Sequence, residues 1–220
     1  MRINILSKPK SKFKHVKLDS NVTRKEIPFQ GLQKLKLSND FNAVIEFSET
    51  EEEIIVEANE NLHQYIHCKY EDEVLKLNKE FNIMFKGKQI LNVYIKCKPF
   101  FLFRASDDVT INVKSLITAD DLHIKIDDDS IFNGKVAIKN ANIIAKDDSI
   151  VNIEGNIDDL NLRLSGDSVM KNYKLSIDRI EARLSGDSIA ELTVNESVKC
   201  KTTGDSSFRY KGNAILVRQD

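Results

Sequence analysis

The residues with most chemistry in them belong to six copies of a short acidic motif. They are Ala105-Ser-Asp-Asp-Val109, Asp127-Asp-Asp-Ser-Ile131, Lys146-Asp-Asp-Ser-Ile150, Ser165-Gly-Asp-Ser-Val169, Ser185-Gly-Asp-Ser-Ile189 and Thr203-Gly-Asp-Ser-Ser207. The central acids Asp107, Asp129, Asp148, Asp167, Asp187 and Asp205 are 22, 19, 19, 20 and 18 residues apart. Stacked at the ~4.8 Å separation of neighbouring strands, Asp129, Asp148, Asp167, Asp187 and Asp205 form a candidate binding ladder along one edge. Such a column could hold Ca²⁺, which takes carboxylate and carbonyl oxygens. Turn chemistry accounts for more of the motif. Asp accepts nearby backbone N–H groups, Ser130, Ser149, Ser168, Ser188 and Ser206 bond the turn, and Gly166, Gly186 and Gly204 supply a backbone conformation other residues avoid. No metal is assigned to it.

Paired carboxylates also serve glycoside cleavage, where two acids of distinct environment flank one bond. Here the acids are equivalent by repetition, and none stands out as acid, base or nucleophile. The chain therefore reads as non-catalytic. A carbohydrate-active enzyme is the alternative, with Asp127, Asp128, Asp129, Asp147 and Asp148 as first suspects. Lys125, Arg163, Arg183 and Lys201 form an outward basic row near the turns and are expected to offset the acid column. His63, His67 and Cys68 have the spacing of a partial metal site, but alternation along a strand turns Cys68 away from both His. No GxSxG, HExxH, P-loop or GxGxxG occurs, so no cofactor is expected.

Strands must position this motif. At seven, five and three residues before each central Asp stand Phe100/Leu102/Arg104, Leu122/Ile124/Ile126, Ala141/Ile143/Ala145, Leu160/Leu162/Leu164, Ile180/Ala182/Leu184 and Val198/Cys200/Thr202. Apart from Arg104 and Thr202 every one is apolar or Cys, and the residues between are mostly polar, the period-two pattern of a strand with one buried face. Two residues after the Asp, Val109, Ile131, Ile150, Val169 and Ile189 make another apolar column. One such unit cannot bury its apolar face alone, whereas stacked coils can. The expected fold is all-β, a right-handed parallel β-helix of about five to six coils with an N-terminal β-rich cap, the hand following from the crossover rule. An antiparallel meander would instead call for hairpin turns and no register every ~20 residues.

Composition divides the chain. Its 220 residues include 33 Lys and Arg against 34 Asp and Glu, so net charge is −1 and no global attraction to nucleic acid or membrane is expected. Residues 1–103 hold 17 basic and 14 acidic side chains (+3) and residues 104–220 hold 16 and 20 (−4), which together recover −1. Glu predominates before the boundary and Asp after it, as strand faces and turns respectively prefer. The expected organisation is a basic N-terminal arm over 1–23, a β-rich capping region over 24–103 and the repeat helix over 104–220. Segment Ser7–Lys14 has no apolar run, so neither a secretory leader nor a transmembrane span is read there. That reads as a cytoplasmic protein or as a chain lacking its leader. Cys68, Cys97 and Cys200 are an odd number without CxxC spacing and read as buried thiols, a single Cys68–Cys97 bridge remaining open.

The capping region shows short alternating segments: 32–37, 43–47, 54–56, 65–70, 74–77 and 90–96. The aromatic run Phe100-Phe101-Leu102-Phe103 follows, with Phe101 and Phe103 expected outward and the run expected to pack cap on coil. Phe29-Gln-Gly-Leu-Gln-Lys-Leu-Lys-Leu37, Glu57-Ala-Asn-Glu-Asn-Leu62 through Tyr70-Glu-Asp-Glu-Val-Leu-Lys-Leu77, and then the Ser-Gly-Asp-Ser repeats come in an order that resembles the putative auto-transporter adhesin, head GIN domain family of bacteria. The resemblance covers about residues 24–215. It implies a pectin-lyase-like right-handed β-helix, a cell-envelope or surface setting and a role in adhesion, with a surface glycan or protein ligand as partner and a homo-oligomer among the arrangements open to it.

Overall fold

The structure is a computed structural model and describes residues 14–80 and 82–217. It is all-β, a β-solenoid of about six coils. The strands are β1 (Lys14–Lys17), β2 (Val22–Glu26), β3 (Lys34–Ser38), β4 (Asn42–Phe47), β5 (Glu53–Asn59), β6 (Ile66–Glu71), β7 (Val74–Lys79), β8 (Ile83–Lys86), β9 (Leu91–Cys97), β10 (Leu102–Ser106), β11 (Thr110–Ile126), β12 (Ile131–Lys146), β13 (Ile150–Ser165), β14 (Val169–Leu184), β15 (Ile189–Thr202), β16 (Ser207–Lys211) and β17 (Ile215–Leu216). A 3₁₀ helix spans Glu60–Tyr65. The basic arm lies largely outside the described residues; Lys14–Lys17 of it pairs in parallel with Ile83–Lys86.

Strands β10 to β16 stack in parallel, in register on either side of shifts at Asn112/Leu116, Ile150/Gly155, Lys171/Ser176 and Ile177/Arg179. The long strands β11 to β15 bend midway and so cover two faces of the rod, and the acidic corners join one rung to the next. Alternation delivers the core. Leu122, Ile124, Ile126, Leu160, Leu162, Leu164, Ala182 and Leu184 are at most 2 % exposed, and one continuous apolar cluster runs from Leu18 to Val198. In-register stacking means that each buried position meets its own copies above and below, which is why a repeated apolar column suffices.

Coil order departs from chain order. Along one face the strands run β6–β7–β3–β10–β11, so β3 sits between β7 and β10 and pairs in parallel with both. On the next face β4 likewise lies between β9 and β11. The chain builds the β3–β4 rung first, descends to lay β7 and β9 beneath it, then rises past it to β10. Below this level the pairing turns antiparallel: β5 on β9, β2 on β5 and β6 on β7. These antiparallel strands close the lower end of the parallel stack and keep its edge from free pairing.

An aromatic chain ties this end to the repeats. Phe47 meets Phe100 at 5.8 Å between ring centroids, Phe100 meets Phe103 at 4.9 Å and Phe103 meets Phe132 at 5.2 Å. Phe103 is 1 % exposed, which corrects its expected outward direction. The cause is a one-residue offset. Val109 shares its column with Ser130, since Thr110 pairs with Ile131, so Asp108 and not Asp107 stands under Asp129. Shifting a strand by one residue exchanges its two faces. Phe103 and Ala105 accordingly point in and Arg104 out. The column two residues after the acid is also half-exposed at Ile131, Ile150, Val169 and Ile189; the buried residues are its neighbours Phe132, Val151, Met170 and Ala190.

Candidate functional site

Each coil turns at a four-residue corner whose last residue points inward. That residue is Phe41, then Val109, then Ser130, Ser149, Ser168 and Ser188, none more than 1 % exposed. Buried hydroxyls need partners, and these find them in their own corner. Ser149 Oγ donates to the Lys146 carbonyl at 2.6 Å, Ser168 to Ser165 at 2.7 Å, Ser188 to Ser185 at 3.0 Å and the more open Ser206 to Thr203 at 2.9 Å. The turn backbone is left-handed at Asp107, Asp108, Asp128, Asp129 and Asp147 and at Gly166, Gly186 and Gly204. Asp and Gly are interchangeable there because both tolerate positive φ.

The predicted acids Asp129, Asp148, Asp167, Asp187 and Asp205 all stand exposed along this edge. Two more rungs lengthen the column below them, Asp108 and Asp40. The Asp40 corner, Ser38-Asn39-Asp40-Phe41, repeats Ser106-Asp107-Asp108-Val109, and this shared Ser-polar-Asp pattern was the available signal for a coil in the first half. None of the edge carboxylates accepts a backbone N–H among the described residues, contrary to expectation. The corner N–H groups bond across rungs instead, Asp108 to the Asp128 carbonyl at 2.9 Å and Asp187 to Gly166 at 3.1 Å. Asp108 is held above the ordinary carboxylate range by burial first, then by Asp40, Asp129 and Asp107. At its lower end the column meets Lys79, a buried lysine whose ammonium pairs with Asp40, bonds Gln89 Oε1 at 3.0 Å and lies 5.3 Å from the Phe85 ring centroid. Among the described residues no three His, Cys, Asp or Glu side chains converge as metal ligands.

A second column runs parallel to the acid edge. Register places Lys69 on Lys76, Lys76 on Lys36, Lys36 on Arg104 and Arg104 on Lys125. Above Lys125 come Ile144, Arg163, Arg183 and Lys201. Eight of these nine rungs are cationic. The expected offsetting of the acid column fails: the one contact to a corner acid is Lys125 to Asp127 at 4.0 Å, while Arg183 pairs with Glu181 and Lys69 with Glu71 on their own strands. On each shared rung the column residue stands four positions before the edge acid, as Arg163 before Asp167 and Arg183 before Asp187.

A groove of about 510 Å³ lies farther from the corners on the same strands and is lined by Asp121, His123, Asn140, Asp159, Arg179 and Glu181 among others. Its central ion pair is closed. Arg179 grips Asp159 with Nε and Nη2, both at 2.7 Å, and Glu196 with Nη1 at 2.7 Å. The guanidinium hydrogen bonds hold the Asp159 carboxyl below its ordinary range.

The remaining candidates separate. His63 sits in the 3₁₀ helix, not a strand, with Nε2 3.1 Å from the Thr23 carbonyl oxygen. Cys68 is exposed rather than buried, Cys97 buried and Cys200 half-buried; all three are free, so the open Cys68–Cys97 bridge is absent.

The model of the putative auto-transporter adhesin, head GIN domain family matches residues 31–214. The chain belongs to this family. No curated protein matches it. A putative adhesin from Bacteroides fragilis superposes with a TM-score of 0.84 at 15% identity, covering 91% of this chain and 93% of that one. One from Parabacteroides merdae gives 0.75 at 18% identity over 94% and 95%. A Parabacteroides distasonis structure described as a putative lipid binding protein gives 0.68 at 12% identity over 93% and 95%. At such identities the likeness is one of fold, and it extends the head GIN domain β-solenoid over nearly the whole chain. No helix of the described residues is long and apolar enough to cross a membrane.

Proposed function

We propose that this chain is a non-catalytic, adhesion-type binding module of the bacterial cell envelope. The observation that carries it is repetition beside the corners: a carboxylate recurs at each corner from Asp40 to Asp205 and a cation at eight of the nine rungs of the neighbouring column, so the rod offers long periodic faces. Family membership supports the envelope setting and the adhesive role. A glycosidase site requires two carboxyls tuned apart beside one bond. In the groove beside Arg179, the Asp159 carboxyl is locked to the guanidinium in its ionised form. The test is to incubate the protein with a panel of neutral and acidic polysaccharides, measuring retention, reducing ends and unsaturated products together. Retention without product is expected. Product formation that is lost on replacing Asp128, Asp129 and Asp148 would instead establish the carbohydrate-active enzyme.

A further inference from the structure

Like the acid edge, the cation column is a surface that folding leaves largely without ion pairs, those of Lys69, Lys125 and Arg183 excepted. Lys76, Lys36, Arg104, Arg163 and Lys201 form no ion pair among the described residues, whereas several exposed cations on other faces do, such as Lys139 with Asp120 and Lys135 with Glu154. Like charges at the ~4.8 Å rung spacing repel by roughly 1 kcal/mol even in water. The strain registers at the lower rungs. The Lys36 ammonium is held below its ordinary range by burial and then by Lys34, Lys76 and Arg104. In-register pairing forces these repulsions on the fold, and among the described residues ion pairs relieve them only at Lys69, Lys125 and Arg183.

Two grooves follow the column. One of about 320 Å³ is lined by Lys36, Lys76, Arg104 and Lys125, and one of about 470 Å³ by Arg163, Arg183 and Lys201. Two residues on, Ser38, Ser106, Ser165, Ser185 and Thr203 set hydroxyls beside the cations and line the same grooves, with Asn78, Asp127 and Lys146 at the equivalent place on other strands. Ile144 is the single apolar rung and borders the upper groove.

We infer that this face binds one extended acidic polysaccharide chain lying along the rod axis, its carboxylate or sulfate groups on the cation column and its hydroxyls against the Ser/Thr column. The inference deepens the binding reading above and rests on it. Width selects the ligand class. The acid edge runs beside the cations only four residues away, so a flat anionic bilayer or a nucleic acid duplex would press on Asp167 and Asp187 as well. A single sugar chain fits along one column. Nine rungs span roughly 40 Å, enough for many sugar units.

The test uses the protein on immobilised polygalacturonate and dextran sulfate, with neutral dextran, duplex DNA and anionic phospholipid vesicles in parallel. Retention on one or both acidic polymers is expected, with release by about 1 M salt, where screening acts within a few ångströms. Combining Arg163→Glu, Arg183→Glu and Lys201→Glu should weaken it about tenfold or more, as loss of charge-assisted contacts would. Lys114→Glu with Lys171→Glu, exposed but off the column, should leave it unchanged. The Gln versions of the triple variant serve if charge reversal perturbs folding, read by thermal melting. Which polymer binds more tightly assigns carboxylate or sulfate. Equal loss in the off-column variant, tighter binding to DNA or vesicles, or no retention on either acidic polymer overturns the inference. Binding to neutral glycan or to envelope preparations while both acidic polymers fail would overturn this inference alone; failure on every surface removes the binding reading with it.

Discussion

A Cβ built on Gly155 would lie 2.0 Å from the carbonyl oxygen of Val136, its partner on the rung below. Gly155 also has φ +117, a conformation that side chains rarely adopt. It marks the bend where β13 leaves one face for the next, and the backbones touch there. Gly155→Ala should destabilise the protein by at least about 2 kcal/mol, lowering the melting temperature by roughly 4 °C or more. A variant that melts with the native protein would show that the bend yields freely.

A row of asparagines runs up the rungs just beyond the acid corner. Asn42 Nδ2 donates to Asn92 Oδ1 at 3.2 Å, Asn112 to Asn42 at 3.3 Å, Asn133 to Asn112 at 3.0 Å and Asn152 to Asn133 at 3.1 Å. Each amide donates downward and accepts from above, so the row favours in-register stacking over any slip. Asn133→Ala removes two of these bonds and Asn152→Ala one. At about 1 kcal/mol per bond, chemical denaturation should show Asn133→Ala losing about twice as much as Asn152→Ala. Equal losses would contradict a directional ladder.

The edge acids make a pH prediction. Asp108 has its folded pKa raised, so at neutral pH its charge opposes folding, and that penalty disappears as pH falls below the folded value. Asp108→Asn keeps a residue that tolerates φ +63 while removing the charge. It should raise the melting temperature at pH 7, and the gain should shrink toward pH 4. A gain that persists in acid would point to backbone preference as its source.

Cys97 is buried beside the aromatic chain, and burial, with a smaller contribution from Glu52, pushes its thiol up to about 12. In the unfolded chain it ionises near the ordinary thiol value. Between those values the unfolded state binds fewer protons, so this group lowers stability as pH rises through that window. Mass spectrometry after brief alkylation of the folded protein should find exposed Cys68 modified first and Cys97 only after denaturant is added. Early modification of Cys97 would mean that β9 opens locally.

Much of the upper solenoid was legible because Ser-Gly-Asp-Ser at 165–168 and 185–188 repeats without variation and its strands alternate cleanly. Legibility failed where the code degenerates. Asp107 and Asp108 are both acids with both φ positive, and either could be aligned on Asp129; only the inward Phe103 and Val109 decide which. The Asp40 rung escaped because Asn39 stands where later copies carry Asp or Gly. The cation column was half visible as Lys125, Arg163, Arg183 and Lys201, but its lower members Arg104, Lys36 and Lys76 come from strands that no period connects.

The sequence by itself determined the β-solenoid, the Ser and Gly roles at the corners and the faces of most repeat strands, because each of these depends on local alternation and on turn residues within a few positions. Only the tertiary structure decided the stacking order β7–β3–β10 and therefore the full length of both charged columns. Strand pairing between segments tens of residues apart depends on which edges remain free once the intervening chain has folded. No local pattern records that choice, and it is what turns scattered lysines and arginines into one continuous cationic face.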